Sequence, residues 1–155
     1  HFFSALFEEY PDIRFINMVK EAKSYALRKF PRRKMCVLGT KGTCSLRLYG
    51  KDVSYPDESQ CEKITDIIAS VKGATPDIDK LKDELSRIIC DLRLIQPDFV
   101  FIIACTELSV LCEGYADGAP EFVDALEVLA VSAIVKCGYQ VNAGLTNIDL
   151  EFLDL

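Results

Sequence analysis

Histidine is nearly missing from this chain: of 155 residues only the first is one. None of the seven cysteines, at positions 36, 44, 61, 90, 105, 112 and 137, belongs to a CxxC pair. A zinc cage needs closely spaced nitrogen and sulfur ligands, so the two shortages together argue against one. The cysteine count is odd, several cysteines lie in apolar segments and no secretory signal is visible, which favours reduced thiols over a disulfide framework. Most are expected in the core, where free cysteine behaves as a small hydrophobe.

Positive charge is also scarce. Lys and Arg number 18 against 24 Asp and Glu, giving a net charge of −6 and a pI near 4.8. A phosphate-backbone partner needs clustered cations, so no nucleic-acid partner is expected. The only basic run, over 28–34, precedes an apolar strand and reads as a solvated turn. No apolar stretch approaches the length that spans a bilayer, so no membrane partner is expected and a cytoplasmic location is. A chain of 155 residues, half of them hydrophobic, is long enough to bury a sizeable core.

What is present is alternation of apolar runs with helical periodicity. Residues 1–10 read as the end of a helix, 14–18 as a short extended segment and 19–30 as a helix. Met35, Cys36, Val37 and Leu38 form an apolar strand that runs into Gly39-Thr40-Lys41-Gly42-Thr43. The spacing predicts a helix over 44–50 and a short strand over 52–56, stopped by Pro56. Ile64, Ile67, Ile68 and Val71 mark a helix over 58–72 that Gly73 closes. Another runs from Pro76 to Ile95, with Ile78, Leu81, Leu85, Ile88, Ile89 and Leu92 on its buried side. Residues 98–104 are apolar without alternation, as in a strand covered on both faces. A short helix over 107–112 follows, then an amphipathic one over 122–137, and the tail from 145 onward shows no period.

Strands separated by helices specify right-handed βαβ units and a flavodoxin-like α/β fold, a parallel sheet covered by helices. Ligands in such sheets bind beyond the carboxyl ends of the strands. Two loops stand there: Thr40 to Thr43 after the first strong strand, and Cys105-Thr106-Glu107 after the second.

These loops carry a family resemblance. Lys34 to Thr43, with Tyr49 six residues on, resembles the strand and threonine-glycine-threonine loop of the second domain of the aspartate/glutamate racemase superfamily. Ala104-Cys105-Thr106-Glu107-Leu108 resembles that superfamily's second catalytic cysteine motif, and Glu107 in place of histidine points to the aspartate racemase branch. Phe15 to Met18, Val71-Lys72-Gly73 and Phe122-Val123-Asp124 are weaker matches. The resemblance implies that 1–33 is the trailing part of a first α/β domain and 34–120 the second. It implies further that 121–142 is a helix packing back on the first, followed by a tail over 143–155. The family's first motif is Cys-Asn-Thr, one variable residue and His, whose end His1 resembles, so the first catalytic cysteine is expected four positions before His1. The missing segment is expected to leave an exposed apolar face.

The resemblance implies cofactor-independent racemisation of an acidic amino acid by a homodimer. One thiolate removes an α-proton and one thiol returns a proton to the opposite face. Cys105 would be one of the pair, its thiolate favoured by the dipole of the following helix. Thr40, Thr43 and Thr106 would donate to the substrate, Glu107 would meet its ammonium group, and Lys72 its side-chain carboxylate. Each residue also has a structural reading. Cys105 is then one more core cysteine, Thr40 and Thr43 turn the chain and cap a helix, Lys72 and Glu107 complement helix dipoles, and Asp124 is a helix cap. The alternative to an enzyme is an incomplete module that binds a dicarboxylate or amino acid, or that assembles with another subunit.

Overall fold

Three short strands, β1 (Met35–Leu38), β2 (Val100–Ile103) and β3 (Glu121–Asp124), pair in parallel in the order β1-β2-β3. They belong to a computed structural model that describes residues 2–112 and 121–154. Met35, Cys36, Val37 and Leu38 stand opposite Val100, Phe101, Ile102 and Ile103, which in turn face Glu121 to Asp124 in register. Every residue of β1 and β2 is buried, because helices cover both faces of the sheet.

The period-two alternation of strand side chains divides the core in two. Met35, Val37, Val100, Ile102 and Val123 point to one face, against α2 (Met18–Lys29) and α7 (Ala125–Lys136). Cys36, Leu38, Phe101 and Ile103 point to the other, against α4 (Glu58–Val71), α5 (Ile78–Ile95) and α6 (Thr106–Cys112). The remaining helices are α1 (Phe2–Glu9) and α3 (Lys41–Ser45). The ends are set by the expected chemistry. Asn17 accepts from Val19 N and Lys20 N at 3.0 and 3.2 Å, and Asp57 and Gln60 form a reciprocal capping box. Among the described residues no helix is long and apolar enough to cross a membrane, and no group of three potential ligands is placed to hold a metal ion.

Several expectations need correction. The helix predicted over 122–137 begins only at Ala125: residues 121–124 are strand β3, because pairing with β2 buries Val123 on one face. The helix predicted over 44–50 is α3 over Lys41–Ser45, and it stops where Arg47 adopts a left-handed φ of 46°. Beyond its end Leu46 and Leu48 are exposed, whereas Tyr49 is buried. The strand predicted over 52–56 is a single parallel bridge between Cys36 and Ser54. Pro76 stands one residue before the cap Asp77, not in the first turn of α5.

The basic run is not wholly solvated. Arg33 donates to the carbonyls of Asp98 and Phe99 at 2.8 and 3.1 Å, fastening the approach to β1 to that of β2. Arg28 donates to Leu153 O and pairs with Asp154 at 2.6 Å, so the tail is docked. It carries two 3₁₀ turns, Ala143–Leu145 and Leu150–Phe152, and buries Ile148 and Leu153 against α2 and its neighbours. His1 lies outside the described residues.

Candidate active site

β1 and β2 end side by side. Ala104 N donates to Leu38 O at 2.8 Å, one step beyond the ladder. Gly39 suits this close junction, since a Cβ there would lie 3.3 Å from Ala104 Cβ and 3.2 Å from Thr43 Cγ2, a tight fit. The two strand-end loops therefore pack directly on one another. Thr40 caps α3, its Oγ1 accepting from Thr43 N at 3.3 Å and sharing a hydrogen bond with Thr43 Oγ1 at 3.2 Å. Lys41 ties the loop to α4 through Thr65 at 2.8 Å and Glu62 at 2.6 Å.

On the β2 side the chain leaves the sheet at Cys105, whose carbonyl accepts from Leu108 N at 3.1 Å and so opens α6. The first turn of α6 turns Glu107 back over the thiol. Cys105 Sγ donates to Glu107 Oε2 at 2.8 Å and Thr106 Oγ1 donates to the same oxygen at 3.0 Å. The other oxygen, Oε1, pairs with Lys72 Nζ at 3.3 Å from the C-terminal cap of α4. Four residues singled out from the sequence, Lys72, Cys105, Thr106 and Glu107, thus meet in one polar cluster. Thr40 and Thr43 stand on the adjoining loop and bond to each other.

The electrostatics reverse one expectation. Burial, and then the Glu107 carboxylate, push the Cys105 thiol up to about 11, against the weaker opposing pulls of the Glu107 backbone amide and Lys72. Glu107 is held down to about 2, first by the thiol hydrogen bond and then by its backbone amide, Thr106 and Lys72. The thiol is therefore protonated and donates to a carboxylate, and the dipole of α6 does not outweigh burial and an acidic neighbour. Thiolate forms as pH rises towards 11, so alkylation of Cys105 by iodoacetamide should climb about tenfold per pH unit until then. Glu107→Gln removes the negative charge and frees Lys72, and should bring the climb to lower pH. Peptide mass spectrometry at about pH 8 gives the comparison, with exposed Cys90 and Cys137 as internal references. Equal reactivity of Cys105 in the two proteins would contradict this account.

A cleft of about 160 Å³ opens beside the thiol. Met18, Ala125 and Leu126 form apolar walls, and Cys105, Thr106 and Asp124 supply its polar groups. Asp124 reaches it because β3 ends level with β2, Asp124 standing opposite Ile103. Sequence reading found Asp124 as a cap but missed its place in the cleft, since the strand before it was read as helix. A larger cleft of about 700 Å³ lies between residues 13–16 and the end of α7. No residue of the strand ends or of the Cys105 cluster lines it, so the smaller one is the better candidate.

Parallel strands covered on both faces, with a thiol, a carboxylate and hydroxyls at their carboxyl ends, define an α/β protein with a strand-end site. No family model matches the sequence, and no curated protein matches it. Among solved structures the chain is similar to the aspartate racemase of Picrophilus torridus, with a TM-score of 0.62 and 23% sequence identity. The likeness covers 84% of this chain and 56% of that one, so the chain spans a little over half the length of the racemase structure. The two share an α/β fold.

Proposed function

We propose that the chain carries one half of a cofactor-independent amino-acid racemase acting on an acidic substrate, with Cys105 as one acid/base. The observation that carries this reading is the thiol of Cys105 at the end of β2, bonded to Glu107 at 2.8 Å and opening on a small cleft. The cleft volume of about 160 Å³ equals that of about five liquid water molecules. That suits a substrate far smaller than the ligands that fill cavities of about 300–1,000 Å³.

In the resting state described, Cys105 is the proton donor. When it protonates a substrate carbanion, its S–H bond breaks, a C–H bond forms at the α-carbon and the thiolate remains. In the reverse direction that thiolate takes the α-proton. The opposite face requires a second group, which by resemblance is another cysteine. Thr106 and the Thr40–Thr43 loop are the donors for substrate carboxylates. Lys72 is the cation for the substrate's side chain, and engaging it means parting it from Glu107. The resemblance and the shared fold support an aspartate-like substrate.

Proton NMR of L- and D-aspartate in D₂O with the folded chain tests the reading. Loss of the α-proton signal from at least one enantiomer is expected. Exchange of both with inversion indicates a complete pair of acid/base groups, and exchange of one without inversion a working half-site. Absence of exchange from either enantiomer would leave a binding module as the better reading.

A further inference from the structure

Glu107 is the acidic residue that the sequence assigns to the substrate's ammonium group, yet its oxygens are already engaged. Oε2 accepts from Cys105 and Thr106, and Oε1 pairs with Lys72. Oε2 is committed to the thiol whose proton is to be transferred, and Oε1 would open to an ammonium only after Lys72 had left it for the substrate's side chain. Asp124 is placed differently. Its Oδ1 accepts from Leu126 N at 2.8 Å and Glu127 N at 3.2 Å, capping α7. Its Oδ2 has no hydrogen-bond partner among the described residues, and no cation pairs with either oxygen. It is also the only charged group among the described residues lining the cleft. The other polar groups there, Cys105 and Thr106, carry no charge in the resting state.

We infer that Asp124 holds the ammonium group of the substrate beside Cys105, and that Glu107 instead holds the thiol proton. The inference rests on the amino-acid reading proposed above and assigns one part of it. Sequence and local structure explain how one residue does both tasks. An N-cap aspartate uses one oxygen for the helix and leaves the other free to face away from it. Ending a parallel strand at that same residue sets Asp124 in the lining of the carboxyl-end cleft, together with Cys105 beyond the neighbouring strand. The α-carbon of an amino acid is one bond from its nitrogen, so an ammonium anchored at Asp124 keeps the α-carbon within the small cleft that Cys105 lines.

The test reads charge at the cleft without relying on turnover. Cys105 is modified by a cationic and by an anionic methanethiosulfonate, the thiolate displacing methanesulfinate to form a mixed disulfide in each case. Rates at Cys105 are followed by peptide mass spectrometry. The ratio of cationic to anionic rate should fall about tenfold or more in Asp124→Asn, since asparagine caps a helix as well as aspartate does but carries no charge. Asp124→Ser provides a second capping residue without charge and should give the same fall. An unchanged ratio in both folded variants would overturn the inference. Protection of Cys105 by aspartate, with succinate as the analogue lacking the ammonium, separates the two levels. Protection by aspartate that Asp124→Asn weakens while leaving succinate unaffected supports the ammonium site. Lack of protection by either ligand, with the charge-dependent ratio intact, would sink the substrate class and leave Asp124 as the cleft's cation-binding group.

Discussion

Replacing Cys105 with alanine is expected to lower α-proton exchange from aspartate by about 10²–10⁴, the range for a positioned acid or base. The loss should appear in kcat more than in KM, because Thr106 and Asp124 remain in the cleft and the variant removes only the group that moves the proton. Stability should change little, since Cys105 is only partly buried and the substitution removes a single sulfur atom. Cys105→Ser is the sharper control. Its hydroxyl can still donate to Glu107 and keep the first turn of α6 in place, but it is a much weaker acid than a thiol. Serine should therefore preserve the local structure without restoring exchange. Proton NMR in D₂O, normalised to the folded fraction by circular dichroism, provides the measurement. If the alanine variant kept more than half the activity, the acid/base would lie elsewhere and Cys105 would serve only to hold Glu107.

The strands β1 and β2 were legible because both faces are covered, so their residues run apolar without a break. Helices α4 and α5 were legible for the opposite reason: each buries one stripe, and Ile64, Ile67 and Ile68, or Leu81, Leu85, Ile88 and Leu92, recur at helical spacing. Strand β3 was hidden because four residues are too few to show alternation, and Phe122 and Val123 run into Ala125 and Leu126 as a helix would. Only pairing with β2, a contact remote in sequence, decides the matter. The same dependence explains 52–56, where one residue, Ser54, meets β1 through Val37 N and Met35 O, and the rest do not.

Within the site, the sequence grouped Cys105, Thr106 and Glu107 by adjacency and Lys72 by resemblance. The structure sets the other three within hydrogen-bonding or ion-pairing distance of the Glu107 carboxylate. The protonation state was not legible. A helix N-terminus favours thiolate, but whether it prevails depends on how deeply the sulfur is buried and where the Glu107 side chain turns, and neither is encoded in spacing. Asp124 shows the limit in another form. Its capping role follows from residue type and position, whereas its approach to Cys105 follows from the parallel register of β3 with β2.

Phe101→Ala should have the largest effect on stability, about 3–5 kcal/mol, the usual cost of emptying a buried aromatic site. Phe101 is fully buried in the central strand, and its ring meets Phe99 at 5.9 Å and Phe122 at 6.1 Å between centroids. Cys36 and Phe122 flank it on the neighbouring strands, and α4, α5 and α6 cover that face. No small movement can close the space, because the sheet is held by backbone bonds on both sides and the helices by many other side chains. Domains of this size have about 5–15 kcal/mol in hand, so the variant should sit near the edge of folding. In urea the midpoint should drop by roughly 2 M at an unchanged slope, given slopes of about 1–3 kcal/mol per molar. Leu94→Ala, at a position 84% exposed, should stay within about 0.5 kcal/mol of the parent. A Phe101 variant as stable as the Leu94 variant would mean that the α4–α5–α6 face does not pack against β2 in solution. The strand end that presents Cys105 would then lack the rigid support that proton transfer over a fixed distance requires.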